Sequence, residues 1–406
     1  MTQRSRRPWG IVILLVVSVA INYIDRGNLS IAAPILEREM GISASQLGVL
    51  LSSFFWTYAL FQPVSGWLVD RFDENLLLAA GFAVWSLATA ATGFVSGFGA
   101  LIALRLALGV GESVAYPCYS KILATHVAEH QRGLPNAMID AGTKFGPALG
   151  TLAGGILMAR YGWRPFFVVL GIGSLVWLPL WLKWMPARVV EPGRAAMVPS
   201  VREIVAQPAA WASVTGHFCG NYFWYFLLTW LPFYLVRERG FSLTQMASLG
   251  SLAYLVTAVS SVVAGAVSDR AIANGATPTR VRKTCAGGGL AIATIVVAVA
   301  ILPDRTASMA LLMLACVAYG VFASSHWAIT QTLAGPLAAG KWSGLQNFVA
   351  NLSGVIAPAI TGVVVDRTGQ FLWAFAVSAI VVLIGASAYL FGLPRIEPVT
   401  WKARRQ

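Results

Sequence analysis

The chain is 406 residues long, 57% hydrophobic and only 11% charged, with a formal net charge of +13 and a mean hydropathy of +0.70. These values exclude a soluble globular domain, and no polar segment pairs a basic stripe with aromatics as a nucleic-acid binder would. They describe a multi-pass protein of the cell (inner or plasma) membrane, its positive charge carried by loops that face anionic headgroups.

In chain order, apolar stretches long enough to cross a hydrocarbon core of ~30 Å, about 20 residues each, fall near 9–36, 46–69, 75–96, 99–122, 134–159 and 165–185. Six more follow near 208–236, 244–268, 284–302, 308–332, 340–365 and 371–393. Arg4, Arg6 and Arg7 precede the first run like a secretory signal, but the run is too long and ends in no small-x-small cleavage site. It reads as a retained helix.

Between the two sets lies the polar stretch "PARVVEPGRAAMVPSVREIVAQP", from Pro186 to Pro208. The expected fold is an all-α membrane protein, with twelve transmembrane helices in two six-helix pseudo-symmetric bundles, 1–185 and 208–406, and a cytoplasmic linker at 186–207. Of the 29 Lys and Arg, 18 fall at the termini and in loops after even-numbered helices, seven in the opposite loops and four inside helices. By the positive-inside rule both termini are cytoplasmic.

Six Asp, Glu, Lys and Arg residues lie inside these spans, clear of the last three positions at either end: Asp25, Arg26, Arg105, Glu112, Asp140 and Lys144. Each costs at least ~2.5–3.5 kcal/mol on insertion scales, so such groups face a bundle interior or a wet cavity and mark function. All belong to the first half, whereas the later spans offer only His217 and His326 as titratable alternatives. Arg105 and Glu112 stand seven apart, about 10.5 Å along one helix face, too far to neutralise each other directly.

Arginine suits a carboxylate substrate because its planar fork donates two parallel hydrogen bonds. Arg26, Arg105 and Lys144 are therefore candidate anion contacts, against the bland alternative of structural ion pairing. Glu112 is the first candidate for a proton carrier, because Gly109, Gly111 and Ser113 put no fixed cation beside it in sequence; the competing reading is a permanent pair with Arg26 or Lys144. Asp140 and Lys144 are i, i+4 with the acid first, a favourable helical pair.

Polar and aromatic candidates for hydroxyl recognition are Tyr23, Tyr58 and Gln62, then Asn221 and Tyr225, then Asn347 and Asn351 at one-turn spacing. Packing and interhelical hydrogen bonding compete for each of them. Pro232 breaks the seventh span near its end, where a gate is plausible. The string Gly142-Thr143-Lys144 is no phosphate loop, since neither its spacing nor its context fits. Cys118, Cys219, Cys285 and Cys316 match no metal motif or disulfide framework and read as small apolar residues. No metal or cofactor is expected.

An internal repeat supports the division: "GWLVDR" at 66–71 is echoed by "GAVSDR" at 265–270, and "RYGWRPFF" from Arg160 by "RTGQFLWAF" from Arg367, at offsets of 199 and 207. Parallel repeats of this kind place a substrate site between the halves. Gly66-x-x-x-Asp70-Arg71 resembles the signature loop of the major facilitator superfamily, although Asp73 stands in place of the usual Gly, and Asn75 and Leu76 in place of the usual basic pair. The second copy is closer, with Asp269, Arg270, Arg280, Arg282 and Lys283.

"NYIDRGNLSIAAP", "RLALGVGESVAYP", "NYFWYFLLTWLPFYL" and "LQNFVANLSGVIAP", in that order, are similar to the anion:cation symporter family. That resemblance implies proton-coupled symport of a small organic anion, such as a sugar acid. In it Asp25 and Glu112 match the positions that carry the coupling proton, and Arg26 and Arg105 match the charge network or anion site. It also implies that Asp70, Arg71, Asp269 and Arg270 latch gates.

A carboxylate in an apolar cavity gains and loses protons near neutral pH. A sodium-driven or uncoupled carrier is the rival reading, and a membrane enzyme or sensor the more distant one. The chain shows no nucleophile elbow or His-rich helix and no segment long enough for an output domain. A monomer suffices for this architecture.

Overall fold

The computed structural model describes residues 8–126, 133–185 and 199–401, and every regular element among them is helical. Twelve long helices run in chain order: α1 Pro8–Met40, α2 Ala44–Arg71, α3 Glu74–Thr92, α4 Phe98–Leu123, α5 Gly133–Tyr161 and α6 Trp163–Trp184. Then come α7 Pro208–Arg237, α8 Leu243–Ala273, α9 Pro278–Ile301, α10 Arg305–Gly335, α11 Lys341–Thr368 and α12 Phe371–Gly392. Ten of them are long and apolar enough to span a bilayer. The other two, α5 and α7, have 29 and 30 residues, ample at 1.5 Å per residue, but are diluted by Gly, Asn, His, Asp and Lys.

Helix starts follow from capping chemistry. Ser43 and Gln46 form a capping box at α2, and the carboxylates of Asp73 and Asp304 accept from free amides at the first turns of α3 and α10. The first helix outruns its apolar stretch: α1 continues through Pro34 to Met40. The backbone ladder persists where hydropathy fails, and the polar end of α1 holds Glu39, which accepts from Trp163 Nε1 (2.9 Å) and Arg164 (3.0 Å).

Breaks have identifiable causes. Pro117 has no amide to bond the Ser113 carbonyl, and α4 breaks at Val114, one turn earlier. Pro179 does the same to α6 at Leu175. At the end of α10, Gly335 adopts φ 62°, ψ 178°, a conformation only glycine takes readily. The chain's last described stretch closes over this break: Val399 N–H donates to the Leu333 carbonyl (2.9 Å) and Trp401 Nε1 to that of Ala334 (3.0 Å).

The chain divides into two compact units, Met1–Glu191 with Leu228–Ser251, and Pro192–Leu227 with Leu252–Gln406. In the first unit α1 lies against α5 along a stripe of glycines, where a Cβ on Gly142 would sit 2.6 Å from Val19 Cγ1 and one on Gly146 2.6 Å from the Ala20 carbonyl. Small residues let the two backbones approach this closely. The stretch 228–251 joins the same unit through Ser30 Oγ, which donates to the Leu228 carbonyl (2.8 Å), and through Gly155, which abuts Ala247. Most of the expected linker, 186–198, lies outside the described residues, and the remainder forms the short helix Val201–Val205.

Candidate functional site

In the first unit, α1 and α4 bring four of the sequence-predicted charges together. Asp25, Arg26, Arg105 and Glu112 are all buried. Arg26 Nε donates to Glu112 Oε2 at 2.7 Å, a buried ion pair joining helices 86 residues apart in sequence. Glycines make room for it: a Cβ on Gly109 would lie 2.3 Å from the Phe54 carbonyl of α2, and one on Gly111 would lie 2.9 Å from the Trp85 amide of α3. These flanking glycines, with no cation among them, let α4 approach α2 and α3 closely, and the counter-charge to Glu112 arrives from α1.

Aromatic faces enclose the guanidinium. Arg26 Cζ lies 4.5 Å from the Tyr23 ring centre, 4.4 Å from that of Tyr58 and 5.2 Å from that of Phe54, within cation–π range. Arg105 is turned toward the backbone of α1, donating to the carbonyls of Asp25 (3.3 Å) and Arg26 (3.5 Å) across the Phe54 ring. Asp25 Oδ1 accepts from Thr89 Oγ1 on α3 at 3.0 Å and from Asn28 Nδ2 at 3.4 Å. Among the described residues, Asp25 Oδ2 and Glu112 Oε1 are buried and accept no hydrogen bond.

Lys144 stands apart from that cluster, bonded to both Asp140 oxygens at 2.9 and 3.0 Å and to Thr143 at 3.3 Å. Tyr23 and Gln62 are half-buried, Tyr58 is fully buried, and the buried Nε2 of Gln62 makes no hydrogen bond. In the second unit Tyr225 hydroxyl bonds Asn351 Oδ1 at 2.6 Å, while Asn351 Nδ2 donates to the Asn347 carbonyl at 2.8 Å. Asn221 and Asn347 are half-buried.

The second unit also holds a polar chain that sequence reading left as two separate histidines. Thr330 donates to Gln346 Oε1 (2.8 Å), Gln346 Nε2 meets His217 Nδ1 (3.2 Å), and the His217 and His326 rings lie 4.6 Å apart beside Trp327. Gln346 lies one residue before Asn347, so periodicity puts it on a different face; only the three-dimensional packing joins it to α7 and α10.

A family model for the Major Facilitator Superfamily matches residues 15–358. The chain belongs to that superfamily. It is a multi-pass membrane transporter, not an enzyme. Among similar curated proteins are the hexuronate transporter of Bacillus subtilis, 30% identical over 383 residues and 90% of both chains, and the D-galactonate transporter of Escherichia coli O6:H1, 28% identical over 413 residues and 95% of both. The chloroplastic ascorbate transporter of Arabidopsis thaliana is 30% identical over 94% of this chain and 74% of its own. A solved bacterial homologue of the human lysosomal transporter Spinster, inward-facing and unoccupied, shares the fold with a TM-score of 0.81 at 18% identity, over 95% of this chain and 97% of its own.

In this transporter the predicted latch residues have mixed surroundings. The side chain of Asp70 lies outside the described residues. Arg71 stacks 4.5 Å from the Trp67 ring centre. Asp269 bonds Arg282 at 2.6 Å, and Arg282 also donates to Ser268 (2.9 Å), while Arg270 is exposed.

Sequence reading missed Thr89, which no pattern separates from the other small residues of α3. It also missed Glu74, fully buried with Lys121 Nζ at 3.4 Å. Lys121 donates to the Val69 carbonyl as well. Glu74 lies one residue before the apolar run at 75–96, so hydropathy gives no sign that it enters the helix. The cysteines are free, three of them buried and Cys285 half-buried, and no group of three or more metal-ligating side chains occurs among the described residues.

Proposed function

We propose that the protein couples inward proton flow to uptake of a small organic anion, a sugar acid or similar carboxylate, by alternating access, with both termini cytoplasmic. The observation that carries the reading is the buried Arg26–Glu112 pair, set between two tyrosines with Asp25 adjacent. While Glu112 is ionised it occupies the guanidinium. Protonation of Glu112 removes that competitor, so Arg26 turns its fork to the substrate carboxylate, with Arg105 and Lys144 supplying further positive charge. The proton therefore binds first and the anion second.

Tyr23, Tyr58 and Gln62 in the first unit, and Asn221, Tyr225, Asn347 and Asn351 in the second, are the groups assigned to the substrate's hydroxyls. Asp25 is the second proton site, and Asp70, Arg71, Asp269 and Arg270 are assigned to gating. The names of the relatives, hexuronate and D-galactonate transporters, support the choice of acid. A monomer carries the whole set.

The test is uptake into proteoliposomes of labelled uronates, aldonates, aldarates, dicarboxylates and aromatic acids under an inward proton gradient, wild type beside Glu112→Gln. The wild type is expected to accumulate one acid that the variant only exchanges. Accumulation by the variant removes Glu112 from the coupling role, and a sodium requirement in the wild type replaces the proton. Failure of every acid to move ends the organic-anion reading.

A further inference from the structure

Hydroxyl groups in the helices of this protein mostly bond their own backbone: Thr92 donates to the Ala88 carbonyl, Thr143 to that of Asp140 and Thr257 to that of Ala253. This is the default for Ser and Thr in an apolar helix, where the preceding turn offers the nearest acceptor. Thr89 departs from it. Its one donor crosses from α3 to α1 and meets Asp25 Oδ1 at 3.0 Å, in a site where Thr89 is 3% and Asp25 2% exposed. The other carboxylate oxygen, Oδ2, is buried with no hydrogen bond.

The charged and titratable neighbours of Asp25 are already committed. On α4, Arg105 donates to two backbone carbonyls and Glu112 is held by Arg26 of α1. From α2 comes Tyr58, stacked on Arg26. On α5, Asp140 and Lys144 bond each other, and α6 sends Arg164 to Glu39 at the far end of α1. The acidic residue at the start of α3, Glu74, faces Lys121.

From this geometry we infer that Thr89 is the positioning residue for Asp25. It anchors Oδ1 through the donated hydrogen bond, fixes the carboxyl rotamer, and leaves Oδ2 as the atom that takes and gives up the proton. The Thr89 bond survives protonation, because the carbonyl oxygen of a carboxylic acid still accepts. It is nevertheless stronger to the ionised form, since charge-assisted hydrogen bonds are roughly twice as strong as neutral ones. Thr89 therefore favours release of the proton, and losing its donor makes Asp25 hold the proton to higher pH.

The inference rests on the proposed role of Asp25 in coupling but is tested without any substrate. Infrared difference spectra of the full-length protein in liposomes are titrated over roughly pH 4 to 10, and the protonated-carboxyl band that disappears in Asp25→Asn is assigned to Asp25. In Thr89→Val, which keeps the shape and removes the donor, the midpoint of that band is expected to move up by about one pH unit. In Thr89→Ser it returns to the wild-type position.

Thr89→Ala removes the same donor with less bulk and gives the same shift if the valine disturbs packing. On the Asp25→Asn background neither substitution alters the remaining carboxyl bands. An unshifted midpoint in both donor-free variants overturns the inference, as does a serine variant that shifts like valine, or the absence of any Asp25 band. The uptake assay with Glu112→Gln fails or succeeds independently of this titration.

Discussion

Replacing Gly146 by alanine tests whether the α1–α5 seam positions the charged site. The new Cβ would lie 2.6 Å from the Ala20 carbonyl oxygen and 3.1 Å from Tyr23 Cβ. Ordinary contact begins near 3.4 Å, so the helices must part by about 0.8 Å, because a backbone oxygen cannot rotate aside. Overpacking of this kind costs about 1–3 kcal/mol. Alanine's better helix propensity returns no more than ~1 kcal/mol of that.

Gly99, in the first turn of α4, is the control, since a Cβ there meets nothing within 4 Å. In thermal melts of the purified protein, Gly146→Ala is expected to melt several degrees below wild type, and Gly99→Ala at or slightly above it. The displacement reaches Tyr23 directly and Arg26 one turn later, so the Gly146 variant also raises the KM for uptake. Equal melting of Gly146→Ala and wild type, or equal loss in both variants, would refute the claim that close backbone approach holds α1 in place.

Two further outcomes follow from the ion pairs. Arg26→Lys keeps the charge but loses the planar fork and its stacking between Tyr23 and Tyr58; the KM for the transported acid is expected to rise about tenfold, ~1.4 kcal/mol, and an unchanged KM would show that charge alone suffices. Lys121→Met leaves the fully buried Glu74 carboxyl without its partly exposed cation, a loss of about 1–3 kcal/mol for an uncompensated buried polar group; melting is expected to fall and to recover in Lys121→Met with Glu74→Gln, and a single variant as stable as wild type would contradict the pairing.

The twelve spans were legible because a bilayer imposes a minimum length on every crossing element and an apolar composition on most of them. Their ends were less so. Hydropathy stopped α1 near residue 36, whereas Glu37, Arg38 and Glu39 continue the helix. At the site, residue type announced the charges, since Asp25, Arg26, Arg105 and Glu112 stand out in an apolar background. Their pairing did not follow from spacing, because Arg26 and Glu112 come from different helices, 86 residues apart in sequence, and meet only in the packed unit. Thr89 and Gln346 carried no signal at all, for their chemistry arises from neighbours that are distant in sequence.

The charge balance of the buried four-residue cluster supplies a reason why, in the proposed mechanism, a proton and an anion would travel together. With every group ionised, Asp25, Arg26, Arg105 and Glu112 sum to zero, and each group has at least one polar partner: Arg26 has Glu112, Asp25 has Thr89 and Asn28, and Arg105 has two carbonyls. A proton alone leaves this buried cluster at +1, and a carboxylate alone leaves it at −1. Either state places an uncompensated charge in a medium of low polarity, at a cost of several kcal/mol. Only the two together restore neutrality. Coupling in the proposed mechanism thus comes from electroneutrality inside a buried site more than from any single strong contact, and the Glu112→Gln variant, at +1 while Asp25 is ionised, is the state expected to hold an anion without waiting for a proton at residue 112.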